Sequence, residues 1–167
     1  MRYLAGSAAT VAILALGSLA GAQTMQNGSE PRELTAEVVM KDKAFHIRQT
    51  QGEMGFLSIQ GGSGRGILLM ADTHADIRLR NEDTVAHEFV STILYKVPFR
   101  LSGTGTFLEA PQAAGVRVGP GQTVVLSFEV PSPREEHEHM YETFWCNVHG
   151  KHHVDRMRGE IVIVDVR

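Results

Sequence analysis

A single cysteine, Cys146, stands in this chain of 167 residues, so no disulfide can form within it. A structural zinc site normally closes with four Cys and His ligands in paired clusters, and the absence of an upstream Cys pair argues against one. No clustered basic face is present of the kind that binds nucleic acid, and no polybasic patch that would hold a membrane surface. Apolar residues keep no 3.6 period over a dozen positions, so any helix is short. Gly61 to Gly66 is glycine-rich, but no Lys-Ser/Thr follows it, which leaves a hairpin tip in place of a phosphate cradle.

The longest apolar stretch, Leu4 to Leu19, is broken by glycines and serines and is short for a membrane span. Arg2 precedes it and Ala20-Gly21-Ala22 follows with a small-x-small pattern, so residues 1–22 are expected to be a cleaved export signal. The expected location is periplasmic or otherwise exported, with no membrane span after cleavage. Cleavage removes Arg2 and no acid, leaving 145 residues with 15 basic against 19 acidic side chains, net −4. That length supports one domain with one core. Residues 23–33 are polar, with Gly28 and Pro31, and are expected to form a flexible segment ahead of a domain at 34–167.

From Leu34 onward the pattern is that of strands. Thr35–Met40, Ala44–Arg48, Gly55–Gln60 and Gly66–Met70 are short runs of β-branched or large apolar residues bounded by glycines or charges. Ala75–Arg80 alternates apolar with charged residues, and Val85–Tyr95, Thr123–Val130, Tyr141–Cys146 and Gly159–Val166 continue the series. Pro98–Gly115, with Gly103, Gly105 and Pro111, is expected to be a long loop. The fold class is therefore all-β, a sandwich or barrel of seven to nine strands in a single domain.

In an exported protein a lone thiol would lie open to oxidation, and a bound metal removes that difficulty. Cys146 opens a segment that holds His149, His152, His153 and Met157, and His87 lies upstream in Asn81-Glu82-Asp83-Thr84-Val85-Ala86-His87-Glu88-Phe89. A thiolate, imidazoles and a thioether suit one copper ion, because soft ligands accept copper(I) as well as copper(II).

These features, with the Gly119-Pro120-Gly121 turn before a hydrophobic strand and an aromatic strand ending in Cys146, make Ala75–Arg167 similar to the cupredoxins, the small type 1 blue copper proteins. The resemblance implies a Greek-key fold and His87, Cys146, one downstream His and Met157 as metal ligands. His149 leaves two residues after Cys146 and seven before Met157, whereas His153 leaves six and three. The ordinary His-to-Met spacing favours His153, with His149 and then His152 as alternatives. The implied function is a monomeric electron carrier between exported redox partners such as a c-type cytochrome or a terminal oxidase. The alternative is a copper-binding protein for tolerance, buffering or delivery, for which the His-rich loop and the His137-Glu138-His139 connector speak. An enzyme is not expected, because the chain lacks both a His-Cys-His motif and the second cysteine of a binuclear centre.

Other residues carry less. Glu88 either fixes the first-ligand loop by hydrogen bonding or faces solvent. His46 and His74 are expected at the surface and Met54, Met70 and Met140 in the core, and Met25 and Met40 are no better candidates for a copper ligand.

Overall fold

The computed structural model describes residues 34–49, 66–133, 139–149 and 156–165. The expected signal, the 23–33 segment, the Gly55–Gln60 strand and the tip up to Arg65 lie outside them, and the described strands belong to one unit, Pro31–Arg167.

Among the described residues, eleven strands and one helical turn follow in order: β1 (Ala36–Lys41), β2 (Ala44–Gln49), β3 (Gly66–Met70), β4 (His74–Asn81), β5 (His87–Ser91), α1 (Ile93–Lys96), β6 (Phe99–Gly103), β7 (Gly105–Ala110), β8 (Ala113–Val118), β9 (Thr123–Glu129), β10 (His139–Trp145) and β11 (Arg158–Val164). They form a five-stranded sheet in the order β2-β1-β4-β9-β6 and a six-stranded sheet in the order β3-β11-β10-β5-β8-β7. β1 runs parallel to β4 and β3 to β11, and the other pairs are antiparallel.

Alternation decides what lies between the sheets, since successive side chains on a strand face opposite ways. Ile77 and Leu79 of β4, Val124, Leu126 and Phe128 of β9, and Ile161 and Ile163 of β11 are all buried in one core. Phe45, Phe89 and Phe144 meet at its centre, with ring centroids 4.9–5.9 Å apart. Phe89 shares the parity of His87, and Phe144 that of Cys146, so the strands that carry the core aromatics also point both candidate ligands inward.

Two segments differ from the sequence expectation. Pro98–Gly115 is not a loop but holds β6, β7 and the start of β8, which raises the strand count above nine. β6 and β7 are edge strands with few buried positions, so they lack the apolar alternation that betrays a strand. Their glycines mark the corner where the chain changes sheets. Gly103 has φ +99°, and a Cβ there would stand 2.4 Å from the Thr123 carbonyl oxygen. The expected strand Val85–Tyr95 ends at Ser91, and Ile93–Lys96 turn as a helix that buries the adjacent Ile93 and Leu94.

Candidate metal centre

His87 starts β5, and Cys146 follows the last residue of β10. These strands pair through Phe144↔Ser91 and Trp145↔Val90, which sets the two side chains at the same end of the core. Both are fully buried, and the Cys146 sulfur lies 3.9 Å from His87 Nδ1. The turn after β10 then brings His149 back, with its Nδ1 also 3.9 Å from the sulfur and its ring centroid 4.7 Å from that of His87. Among the described residues, His87, Cys146 and His149 are the one group of His, Cys and carboxylate side chains placed to hold a metal ion.

Met157 is buried beside them, and its carbonyl oxygen accepts the Cys146 N–H at 3.0 Å. The pairing Trp145↔Arg158 across β10 and β11 fixes it there. His152 and His153 lie outside the described residues.

The donor set passes a geometric test for one ion. Metal–sulfur and metal–imidazole bonds of about 2.3 and 2.0 Å sum to about 4.3 Å. Both 3.9 Å separations fall short of that sum, so a single ion can reach the sulfur together with either nitrogen.

The surrounding polar groups organise the site. The Glu88 backbone N–H points at the Cys146 sulfur from 3.3 Å. The Glu88 carboxylate turns away from it, buried but 3.8 Å from the Arg117 guanidinium. His87 Nε2 lies 2.7 Å from an Asp83 carboxylate oxygen. Burial works to raise the Asp83 carboxyl, but hydrogen bonds from the Lys43 N–H, the His87 ring and the Asp42 N–H outweigh it and hold the group below the ordinary carboxylate range. Buried Asn81 shapes the ligand loop: its amide nitrogen donates to the carbonyls of Val85 and Val118 at 2.8 and 2.9 Å, and its side-chain oxygen accepts the Asp83 N–H at 2.9 Å.

Sequence reasoning singled out neither Asp83 nor Asn81, although both polar residues close to His87 in a turn-like segment were a usable signal. The remaining candidates stand apart from the centre. His46 is exposed near the Lys41 carbonyl, His74 lies between Glu129 and Asp76, and His139 is exposed with its ring against Tyr141. Met40 is buried in the core and Met140 packs against it.

No family model matches the sequence, and no curated protein matches it. The fold has solved counterparts. McoA multicopper oxidase from the hyperthermophile Aquifex aeolicus is similar at a TM-score of 0.50 and 18% identity, over 77% of this chain and 28% of that one. A multicopper oxidase from Campylobacter jejuni matches at 0.46 and 14%, over 83% of this chain and 31% of that one. Auracyanin A, a "blue" copper protein from Chloroflexus aurantiacus, matches at 0.42 and 14%, over 76% of this chain and 95% of that one. The chain thus spans under a third of the length of these oxidases. The fold is cupredoxin-like, a β-sandwich of two mixed sheets.

Proposed function

We propose that this chain is an exported mononuclear copper protein of the type 1 class that carries one electron at a time between redox partners such as a c-type cytochrome and a terminal oxidase. The observation that carries the reading is the buried meeting of one thiol sulfur with two imidazole nitrogens, each 3.9 Å from it. His87, Cys146 and His149 would hold the ion, with Met157 as the weak fourth ligand, a set that tolerates both copper oxidation states. Bound copper would supply the one-electron couple. Everything else falls to the chain: two strands and a turn hold the donors in place, the aromatic core excludes water behind them, and the Glu88 amide stabilises the thiolate.

Burial supports the carrier reading over a copper-delivery protein. A delivered ion must leave, and His87 and Cys146 are closed off from solvent. An electron needs no such opening, and half-buried His149 offers the nearest route to the surface.

Adding copper(II) to the metal-free protein is expected to give one equivalent of bound metal and an intense thiolate-to-copper band, which Cys146→Ser abolishes. A colourless one-to-one complex overturns the type 1 assignment. The reduced protein is expected to be oxidised rapidly by a partner cytochrome or oxidase; a gene deletion that spares respiration but makes cells copper-sensitive favours tolerance instead.

A further inference from the structure

We infer that Asp83 is a positioning residue for the metal centre: its carboxylate, cradled by the β1–β2 turn, fixes His87 with the proton on Nε2 and the lone pair of Nδ1 facing Cys146. The inference deepens the copper reading above and rests on it.

The carboxylate is held from three sides. One oxygen accepts the Asp42 N–H at 2.9 Å, and the other accepts the Lys43 N–H at 3.0 Å and faces His87 Nε2 at 2.7 Å. Asn81 anchors the Asp83 backbone through its N–H. The turn is a two-residue hairpin connection, with Lys41 pairing Ala44 across it. Asp42 and Lys43 both have φ +53°, the left-handed region that costs a residue with a side chain about 1–2 kcal/mol. This conformation turns two successive N–H groups toward the same anion, a small backbone nest, and the carboxylate offsets the strain by accepting both.

The two ring nitrogens of a neutral histidine are not equivalent, and the bond made by one decides what the other can do. A carboxylate oxygen only accepts, so Nε2 must donate and Nδ1 is left with its lone pair toward the sulfur. The His87 side chain is fully buried and that of Asp83 is 17% exposed, so water competes poorly for this bond. The negative charge also enriches the imidazole in electron density. That favours the more highly charged oxidised metal, so Asp83 acts to lower the reduction potential.

Nitrogen NMR of the metal-free, 15N-labelled protein reads the tautomer directly, at a pH where the imidazole is neutral. The expected result is His87 protonated on Nε2 in the wild type, with loss of that exclusive state in Asp83→Ala. Lys43→Gly keeps the N–H donor and the turn, and is expected to leave the tautomer unchanged. His87 protonated on Nδ1 in the wild type overturns the inference, whether or not any variant folds. In copper-loaded protein, Asp83→Asn is expected to keep the thiolate band and raise the potential; an unchanged or lowered potential overturns the electronic role. Because the tautomer is read without metal and the colour with it, failure of the copper reading and failure of the Asp83 assignment give different results.

Discussion

The backbone N–H of Glu88 lies 3.3 Å from the sulfur of Cys146. These residues are 58 positions apart, and antiparallel pairing of β5 with β10 brings them together. Sulfur stabilisation is therefore written into the sheet rather than into a side chain. Any residue with an amide hydrogen at position 88 would supply it.

Glu88→Gln is accordingly expected to leave the thiolate band and the reduction potential of the copper-loaded protein nearly unchanged. It weakens only the 3.8 Å contact with half-exposed Arg117, an interaction worth about 0–1 kcal/mol. A potential shift as large as that of Asp83→Asn would show that the Glu88 carboxylate, and not its amide, governs the sulfur.

Gly115 of β8 sits opposite Val90 of β5, the strand that carries His87. A Cβ at 115 would stand 2.2 Å from the Phe89 carbonyl oxygen and 2.7 Å from the Val90 Cα, both backbone atoms that cannot rotate away. Gly115→Ala is expected to destabilise the metal-free protein by about 2–3 kcal/mol, the upper range for overpacking. Urea unfolding measures it, and an unchanged midpoint with an unchanged slope would contradict the close approach.

The inward face of β10 reads Glu142 and Phe144, and Cys146 continues it just past the strand's end, so a charge stands at one end and the thiol at the other. Glu142 is only 2% exposed, accepts a hydrogen bond from the Thr92 hydroxyl, and lies 2.5 Å from the Lys96 ammonium. With Ser91 donating to the Thr143 carbonyl at 2.8 Å, these contacts clamp the segment after β5 to β10 behind the metal centre. Removing one partner of a fully buried ion pair costs about 3–5 kcal/mol. Lys96 is 54% exposed and Thr92 remains, so Lys96→Met is expected to cost less, about 1.5–3 kcal/mol, the range of a hydrogen bond to a charged group. Adding Glu142→Gln should recover part of that loss, and strictly additive unfolding free energies would show that the pair is uncoupled.

Much of this arrangement was legible in the chain. Gly66–Met70 emerges with the bounds read from its apolar run, and Thr123–Glu129 follows its alternation nearly as closely, because one buried face imposes a period of two. Cys146 stands out in the sequence as a lone thiol and His87 as an upstream His before an aromatic residue, and the structure brings the two side chains to 3.9 Å of each other. The edge strands Phe99–Gly103 and Gly105–Ala110 were not, because strands that bury little carry no period. Nor was Asp83: its role depends on the Asp42–Lys43 turn, 40 and 41 residues away, and only the folded hairpin brings the two together.

The choice between His149 and His153 turns on what sets the place of Met157. Spacing favours His153 if the segment from His to Met must return both ligands by its own length. The register across β10 and β11 removes that premise: Trp145↔Arg158 pairing and the Cys146 N–H bond to the Met157 carbonyl pin Met157 however many residues lie between. His149 itself already stands with Nδ1 3.9 Å from the sulfur. His149→Ala is expected to abolish or strongly shift the thiolate band of the copper-loaded protein and weaken copper binding at least tenfold, while His153→Ala retains both. The reverse pattern, with colour lost in His153→Ala and kept in His149→Ala, would return the ligand to His153 and leave His149 beside the site without bonding to the metal.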